Sequence, residues 1–598
     1  MSDDALQRGD AGRGPAREQP AQPEVTPVLH MFEQPLDRRS WLKTAAVLAG
    51  GAAGSSTVTG CAEIPHAAAG ARADGASLVT TPENAVVETT AGKVRGYTRD
   101  GIYIFKGMPY GETTAGANRF MPPKQPVPWT DVRPAMAWGP VSPPSPRAAW
   151  RNSEEQFLYN WDDGFPGEEM LNLNVWTPSI NDSGKRPVLF WIHGGGYTYG
   201  SSHELPMLDG QRLAQHHDVV YVSVNHRLNV FGYLDLSQIG GEPYATSANV
   251  GMLDLVQALE WVRDNIARFG GDPGNVTIFG QSGGGSKVST LLAMPAAKGL
   301  FHKAMVLSGP GLRQGEPELS HRLAEAVLAE LKLNGRQLDR LQMLPWEQVL
   351  AAGLSAQQKL SSSLPPGPPG SGRRVGWSPV VDGKVIPQHP FDPVAPQLSV
   401  GIPLLIGCTF HEFDHGINKP QAHLLTLEQL QTNLKERFGA RTDEVIAAAQ
   451  QAVPNARPFE LAAVIGTTGR FRANTVTLAE RKAAQNGAPV HLYWFGWKTR
   501  VLDGRPLAFH CQDMPFWFDH VEKCAQQTGG TPEAHALAGK MSNALVAFAR
   551  TGDPSHSGIP RWPAFTASTP ETMVIDDVLE VRNDPDGELR RLVMAPQA

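Results

Sequence analysis

From Leu78 onward the chain alternates between two hydrophobic patterns. Short continuous apolar runs occur at Val188–Ile192, Val219–Val224, Val276–Phe279, Ala304–Leu307, Pro403–Ile406 and Val490–Phe495. Runs this short without alternation suit parallel strands covered on both faces. One stretch follows a helical period instead: Leu255, Val256, Leu259, Val262, Ile266 and Phe269 recur at spacings that place them on one stripe. Strand–helix alternation predicts an α/β fold built on a doubly wound, mostly parallel sheet flanked by helices. Leu319–Gln358 and Leu424–Arg472 read as helical insertions that cap the site. Ser361–Gly372, rich in Ser, Pro and Gly, reads as a loop in such an insertion. With no internal repeat and no sharp composition break, residues 74–598 are expected to form a single domain.

The first 73 residues follow another pattern. Residues 1–30 are rich in Gly, Pro, Ala and charge, a composition of disorder. Asp37-Arg38-Arg39-Ser40-Trp41-Leu42-Lys43 then precedes a weakly apolar stretch from Thr44 to Gly60. A charged pair before a short apolar region is a secretory leader, and the Arg pair resembles the twin-arginine export signal. Two processing points compete. Val58-Thr59-Gly60-Cys61 resembles a lipobox, which would lipidate Cys61 and anchor the protein to a membrane; Ala71-Arg72-Ala73 suits ordinary signal peptidase and would release it. The anchor is preferred, because a lone Cys just after the apolar region has little else to do. The expected location is periplasmic or extracellular.

Composition narrows the partners. The 598 residues are 41% hydrophobic and 19% charged, enough for a large core. A net charge of −6 and the lack of a polybasic run argue against nucleic acid or an anionic membrane surface. Beyond Cys61 only Cys408, Cys511 and Cys524 remain, too few for a disulfide scaffold. No ligand cluster has metal spacing, so neither a metal nor an organic cofactor is expected.

The candidate chemistry begins at Gly280-Gln281-Ser282-Gly283-Gly284. The motif follows the β-branched run Val276–Phe279 and precedes a segment, Ser286–Met294, that can be helical. G-x-S-x-G is common by chance in a chain with 61 glycines. Between a strand and a helix it is the nucleophile elbow, a strained turn that projects the Ser282 hydroxyl from the sheet. Upstream, Val188–Ile192 runs into His193-Gly194-Gly195-Gly196-Tyr197. Ester cleavage passes through a tetrahedral oxyanion that needs preorganised N–H donors. Gly195, Gly196 and Gly283 are the expected donors. A phosphate-binding loop is the alternative, but no Lys-Ser/Thr follows. His193 is expected to hold the loop rather than act as a base.

These residues resemble the type B carboxylesterases, the α/β-hydrolase family that includes cholinesterases. The resemblance runs from about Val86 to the C-terminus. It includes Phe105-Lys106-Gly107-Met108-Pro109-Tyr110, Leu171–Pro178, the HGGG loop, Asn249–Gly284 and Phe548–Pro554. It implies an acid in the loop after Pro403–Ile406, hence Glu412, with Asp414 the local rival and Asp382 a turn residue. It implies a base in Ala508–Phe516, hence His510; His302, His491 and His520 lack that context and are expected at the surface or at helix ends. It also implies differences. Gln281 stands where the family usually has Glu. Met170 replaces a common Cys, so the family's N-terminal disulfide is absent. Cys408 and Cys511 would lie close if the triad closes, and are expected to be buried free thiols rather than a disulfide.

The resemblance implies a serine carboxylic-ester hydrolase working through an acyl-serine on a small-molecule or polymeric ester. The same machinery on carbamate, lactone, amide or polyester bonds is the second reading, and a non-catalytic binding module the third. Tyr197 and Phe516 are candidate pocket walls, with Trp150, Phe157, Trp161, Tyr199 and Trp517 as weaker ones.

Overall fold

All six apolar runs become neighbouring strands. The computed structural model describes residues 77–144, 153–364 and 375–596, all within the compact unit Ala73–Ala598. Arg38-Arg39, Cys61, Ala71–Ala73 and Trp150 lie outside the described residues, as does most of Ser361–Gly372.

A twelve-stranded sheet carries the fold. In spatial order its strands are Leu78–Val79, Tyr97–Arg99, Ile102–Pro109, Asn172–Thr177, Val220–Val224, Arg186–Ile192, Gly271–Gln281, Lys303–Leu307, Leu404–Thr409, Val490–Phe495, Glu571–Ile575 and Leu579–Asn583. From Val220–Val224 to Glu571–Ile575 neighbouring strands run parallel. Antiparallel strands close both edges. A smaller three-stranded sheet, Val86–Thr89, Gly92–Arg95 and Arg133–Pro134, lies beside it.

Successive side chains of a strand point to opposite faces, and the core divides accordingly. Val188, Phe190 and Ile192 enter one apolar cluster together with Val276, Ile278, Val306 and Ile406. Leu189 and Trp191 enter the other with Phe279, Met305, Leu307 and Leu405. Apart from Thr277, the central stretch of each of these strands is apolar because each face meets helices. Leu255, Leu259 and Val262 of the helix Val250–Asn265 cover the first face. Leu537, Ala544 and Leu545 of Pro532–Thr551 cover the second.

Several boundaries differ from the sequence reading. The strand expected at Val276–Phe279 starts at Gly271, with an irregularity between Gly271 and Val276; Pro273 and Gly274 disguise it as a turn. The helix expected from Ser286 starts at Gly283, directly after the serine. Glycines read as loop, yet here they form the first helical turn. Ser361–Ser363 end the helix Trp346–Ser363 rather than open a loop. Of the two helical insertions, the second reaches the site through Phe471, whose ring centroid is 5.7 Å from that of His510.

A buried ion pair ties the helix layer to the strand ends. Arg227, just past Val220–Val224, donates to Asp254 from its backbone N at 3.0 Å, Nε at 2.9 Å and Nη2 at 2.6 Å. Both side chains are essentially inaccessible. Removing one partner of such a pair strands the other charge in the core. Arg227→Met is therefore expected to lower unfolding free energy by about 3–5 kcal/mol, read from urea denaturation.

Candidate active site

The connections leaving Arg186–Ile192 and Gly271–Gln281 go to opposite sides of the sheet, since Val220–Val224 flanks one strand and Lys303–Leu307 the other. A crevice opens at the carboxyl ends of two such strands. His193–Gly196 leaves one end and Ser282 the other.

Ser282 has φ 56 and ψ −122, a strained conformation for a residue with a side chain. The turn is held because Ser282 N donates to Leu307 O at 2.8 Å and Ser282 O accepts from Ser286 N at 3.1 Å. The neighbouring chain presses on it: a Cβ at Gly309 would stand 1.9 Å from Ser282 O. Beside it, a Cβ at Gly283 would stand 2.2 Å from Gly196 O. Gly195 and Gly196 take φ of 74 and 62, and Gly195 O turns away to accept from Thr198 N and Tyr199 N. Among the described residues the amides of Gly195, Gly196 and Gly283 have no intramolecular acceptor, the condition an oxyanion site requires. His193 holds the loop: its Nδ1 lies 3.1 Å from Gly194 O, and its ring packs on His226 with centroids 4.6 Å apart.

The structure brings Glu412 and His510 together. Glu412 Oε2 and His510 Nδ1 form a short hydrogen bond. Glu412 Oε1 accepts from Thr409 N at 2.9 Å, and Glu412 N donates to Thr409 Oγ1 at 3.1 Å. The two loops are also zipped by backbone, His411 N to Ala508 O at 3.2 Å and His510 N to Glu412 O at 3.0 Å. Tyr159 OH donates to His510 O at 2.6 Å. With Nδ1–H given to Glu412, Nε2 carries the free lone pair. Gln281 Nε2 meets that nitrogen at 3.0 Å, and no hydrogen bond joins His510 to Ser282 among the described residues. Phe413 lies over the imidazole with centroids 4.1 Å apart.

Ser282, His510, Gln281, Gly194 and Gly195 line a cavity of about 270 Å³. Its other walls include Tyr159, Trp161, Tyr199, Leu205, Leu208, Phe413 and Met514, with Glu155 and Glu204 the acidic members. Tyr197 and Phe516 do not line it, contrary to the sequence reading. The Tyr197 hydroxyl is turned to Ser286 Oγ at 2.7 Å and to Gln314. Phe516 is fully buried against Phe495 and Trp497. Trp517 is buried too, while Trp161 and Tyr199 do reach the cavity. His491 and His520 are buried rather than superficial: His491 lies within the sheet strand Val490–Phe495, and His520 Nε2 meets Asp209 O at 2.6 Å. Asp382 acts as a turn residue, accepting from Lys384 N at 2.9 Å and Ile386 N at 3.0 Å. Cys408 and Cys511 are buried free thiols.

Sequence reasoning missed Tyr159, Phe413, Lys287 and Asp513. Phe413 had a signal, its place directly after Glu412. Asp513 is fully buried, accepting from Tyr493 OH at 2.7 Å and Trp517 Nε1 at 3.3 Å. Burial, reinforced by the nearby Glu412 charge, raises its carboxyl to about 6.

A mostly parallel sheet with a strained serine between strand and helix at its switch point defines an α/β-hydrolase. The chain belongs to the carboxylesterase family, whose model matches residues 83–588. It is 34% identical over 508 residues to a para-nitrobenzyl esterase of Bacillus subtilis (strain 168), covering 85% of this chain and 98% of that protein. A phenmedipham hydrolase of Pseudarthrobacter oxydans is 32% identical over 517 residues, again covering 85% and 98%. Among solved structures, an esterase from anaerobic Clostridium hathewayi that can hydrolyse aliphatic aromatic polyesters superposes with a TM-score of 0.74 at 38% identity, over 85% of this chain and 97% of that one. The protein is a carboxylic ester hydrolase, and the non-catalytic reading falls away.

Two outcomes are expected. Gly309→Ala pushes on the Ser282 carbonyl and should lower kcat/KM for p-nitrophenyl acetate by about 100-fold, the scale of losing an oxyanion donor, while circular dichroism stays native. Asp513 binds its proton more tightly in the native state than in the unfolded chain, where the pKa is about 3.9. Stability should thus fall as pH rises from about 4 to about 6 and stay reduced above. Asp513→Asn can still accept both hydrogen bonds. In urea titrations it should abolish that slope and gain at most about 3 kcal/mol over wild type at pH 8.

Proposed function

We propose that Ser282, His510 and Glu412 are the catalytic triad, and that the enzyme hydrolyses uncharged aryl and alkyl esters through an acyl-serine. The observation that carries this reading is the Glu412–His510 pair facing a cavity that also holds Ser282 and the acceptor-free amides. As substrate enters, Gln281 releases His510 Nε2. Ser282 Oγ then gives its proton to Nε2 as it bonds to the carbonyl carbon. The oxyanion settles on the amides of Gly195, Gly196 and Gly283. The imidazolium is stabilised by Glu412 and by the face of Phe413. His510 passes its proton to the leaving alcohol, takes one from the water that attacks the acyl-serine, and returns it to Ser282 Oγ as the acid leaves.

The cavity walls are largely apolar and aromatic, with acids but no Lys or Arg among them. This favours uncharged acyl and alcohol groups over carboxylates. A polyester is a second reading, favoured by the half-exposed Phe157 and Phe413 at 52% and 46%. Phe157 shares the helix Glu154–Tyr159 with the cavity wall Tyr159, and Phe413 lines the cavity itself. Carbamates belong in the same trial, given the phenmedipham hydrolase relative. Export by the Arg38-Arg39 leader, with Cys61 as lipid anchor, is proposed from the sequence alone.

Fluorophosphonate labelling tests the nucleophile. Wild type should label and Ser282→Ala should neither label nor turn over esters; persistent labelling of the variant would overturn the assignment. Glu412→Gln should lower kcat by about 10³-fold or more, the scale seen when the orienting acid of such a triad is neutralised. A screen of esters, carbamates and polyester films then ranks the substrates.

A further inference from the structure

We propose that Lys287 is a positioning residue for ester hydrolysis, holding the two halves of the oxyanion site at a set distance through the carbonyl of His193. The proposal rests on the oxyanion assignment above. Those donors come from two separate segments, the loop after Arg186–Ile192 and the first turn of the helix Gly283–Leu291. The strands beneath them are paired as far as Ile192 and Gly280; beyond that point no backbone hydrogen bond joins the loop to the helix among the described residues. Lys287 lies one turn beyond Gly283 on the same helix, and its Nζ donates to His193 O at 3.2 Å. The grip is thus from the helix that carries one donor to the root of the loop that carries the rest.

The surroundings explain why a lysine is tolerated there. Lys287 is completely buried, and burying an ammonium is expensive unless it is compensated. The groups facing it are the His193 carbonyl, the Tyr197 ring with its centroid 5.6 Å from Nζ, the His226 imidazole and the more distant carboxylate of buried Glu204. Glu204 stands at the far end of the same loop: a Cβ on Gly200 would meet His193 Nδ1 at 2.6 Å and Glu204 Oε1 at 3.0 Å. A basic and an acidic side chain therefore bracket the loop from its two ends. Desolvation draws the ammonium down to about 7, with Glu204 pulling the other way. Either protonation state retains an N–H for His193 O. An apolar side chain of similar size would avoid this desolvation cost. A local rule broken one turn from the nucleophile marks a site kept for function.

Lys287→Met, similar in length and without a donor, tests the idea. The expected result for a p-nitrophenyl ester is a kcat about tenfold lower with KM within about twofold, smaller than the effect of deleting a donor outright. The Ki of an aryl trifluoromethyl ketone, which mimics the tetrahedral adduct, should rise by the same factor as kcat falls. Lys287→Gln, still a donor, should recover most of both. A folded Met variant with wild-type kcat and Ki overturns the proposal, as does a kcat loss with unchanged Ki. Should the Met variant not fold, Lys287→Ala, also without a donor, decides: parallel losses in kcat and in inhibitor affinity support the proposal, and an unchanged Ki overturns it. Ser282→Ala separates the two levels. If that variant stays active, the site reading itself fails; if it is dead and Lys287→Met is normal, only the positioning role fails.

Discussion

The site depends on one close approach, the contact of Gly283 with the backbone of Gly196. A single methyl group at Gly283 would lie 2.2 Å from the Gly196 carbonyl, so only bare backbone fits. The parallel strands Arg186–Ile192 and Gly271–Gln281 hold the two chains side by side, in register from Val188 with Val276 to Ile192 with Gly280. Their carboxyl ends then deliver the loop and the elbow to the same point. Because the sheet is packed on both faces, neither strand can shift without disturbing both cores. The strain in Ser282 is offset by this surrounding packing.

Around that contact lies a chain of buried polar groups. Glu412 is oriented by Thr409 and in turn orients His510, while Tyr159 fixes the His510 backbone. Asp513 sits behind them under Tyr493 and Trp517. Groups this deep are secured by several partners each, which sets their direction as well as their energy. Gln281 Nε2 meets His510 Nε2, so in the reaction proposed above it has to release that nitrogen before the ring accepts the Ser282 proton.

Much of this was legible along the chain. The strands appeared as continuous apolar runs because both of their faces are buried, and the elbow and HGGG loop appeared because close backbone approach admits only glycine. Glu412 and His510 were legible only through the family resemblance, since nothing local marks them among other acids and histidines. Tyr197 and Phe516 were misread as cavity walls. An aromatic near a motif looks the same whether its ring faces the cavity or, as with Phe516, packs against Phe495 and Trp497. Lys287 was invisible, because lysines on helices are ordinarily exposed.

The sequence by itself determined the α/β architecture, the elbow at Ser282 and the glycine-built loop facing it, because strand burial and tight turns impose local, periodic demands on residue type. Only the tertiary structure decided what surrounds them. The bridge between Glu412 and Phe509, the Gln281 amide on His510, the Phe413 ring above it and the Lys287 grip on His193 all join residues far apart in the chain. Their positions follow from strand order and layer packing, which no short stretch of sequence encodes.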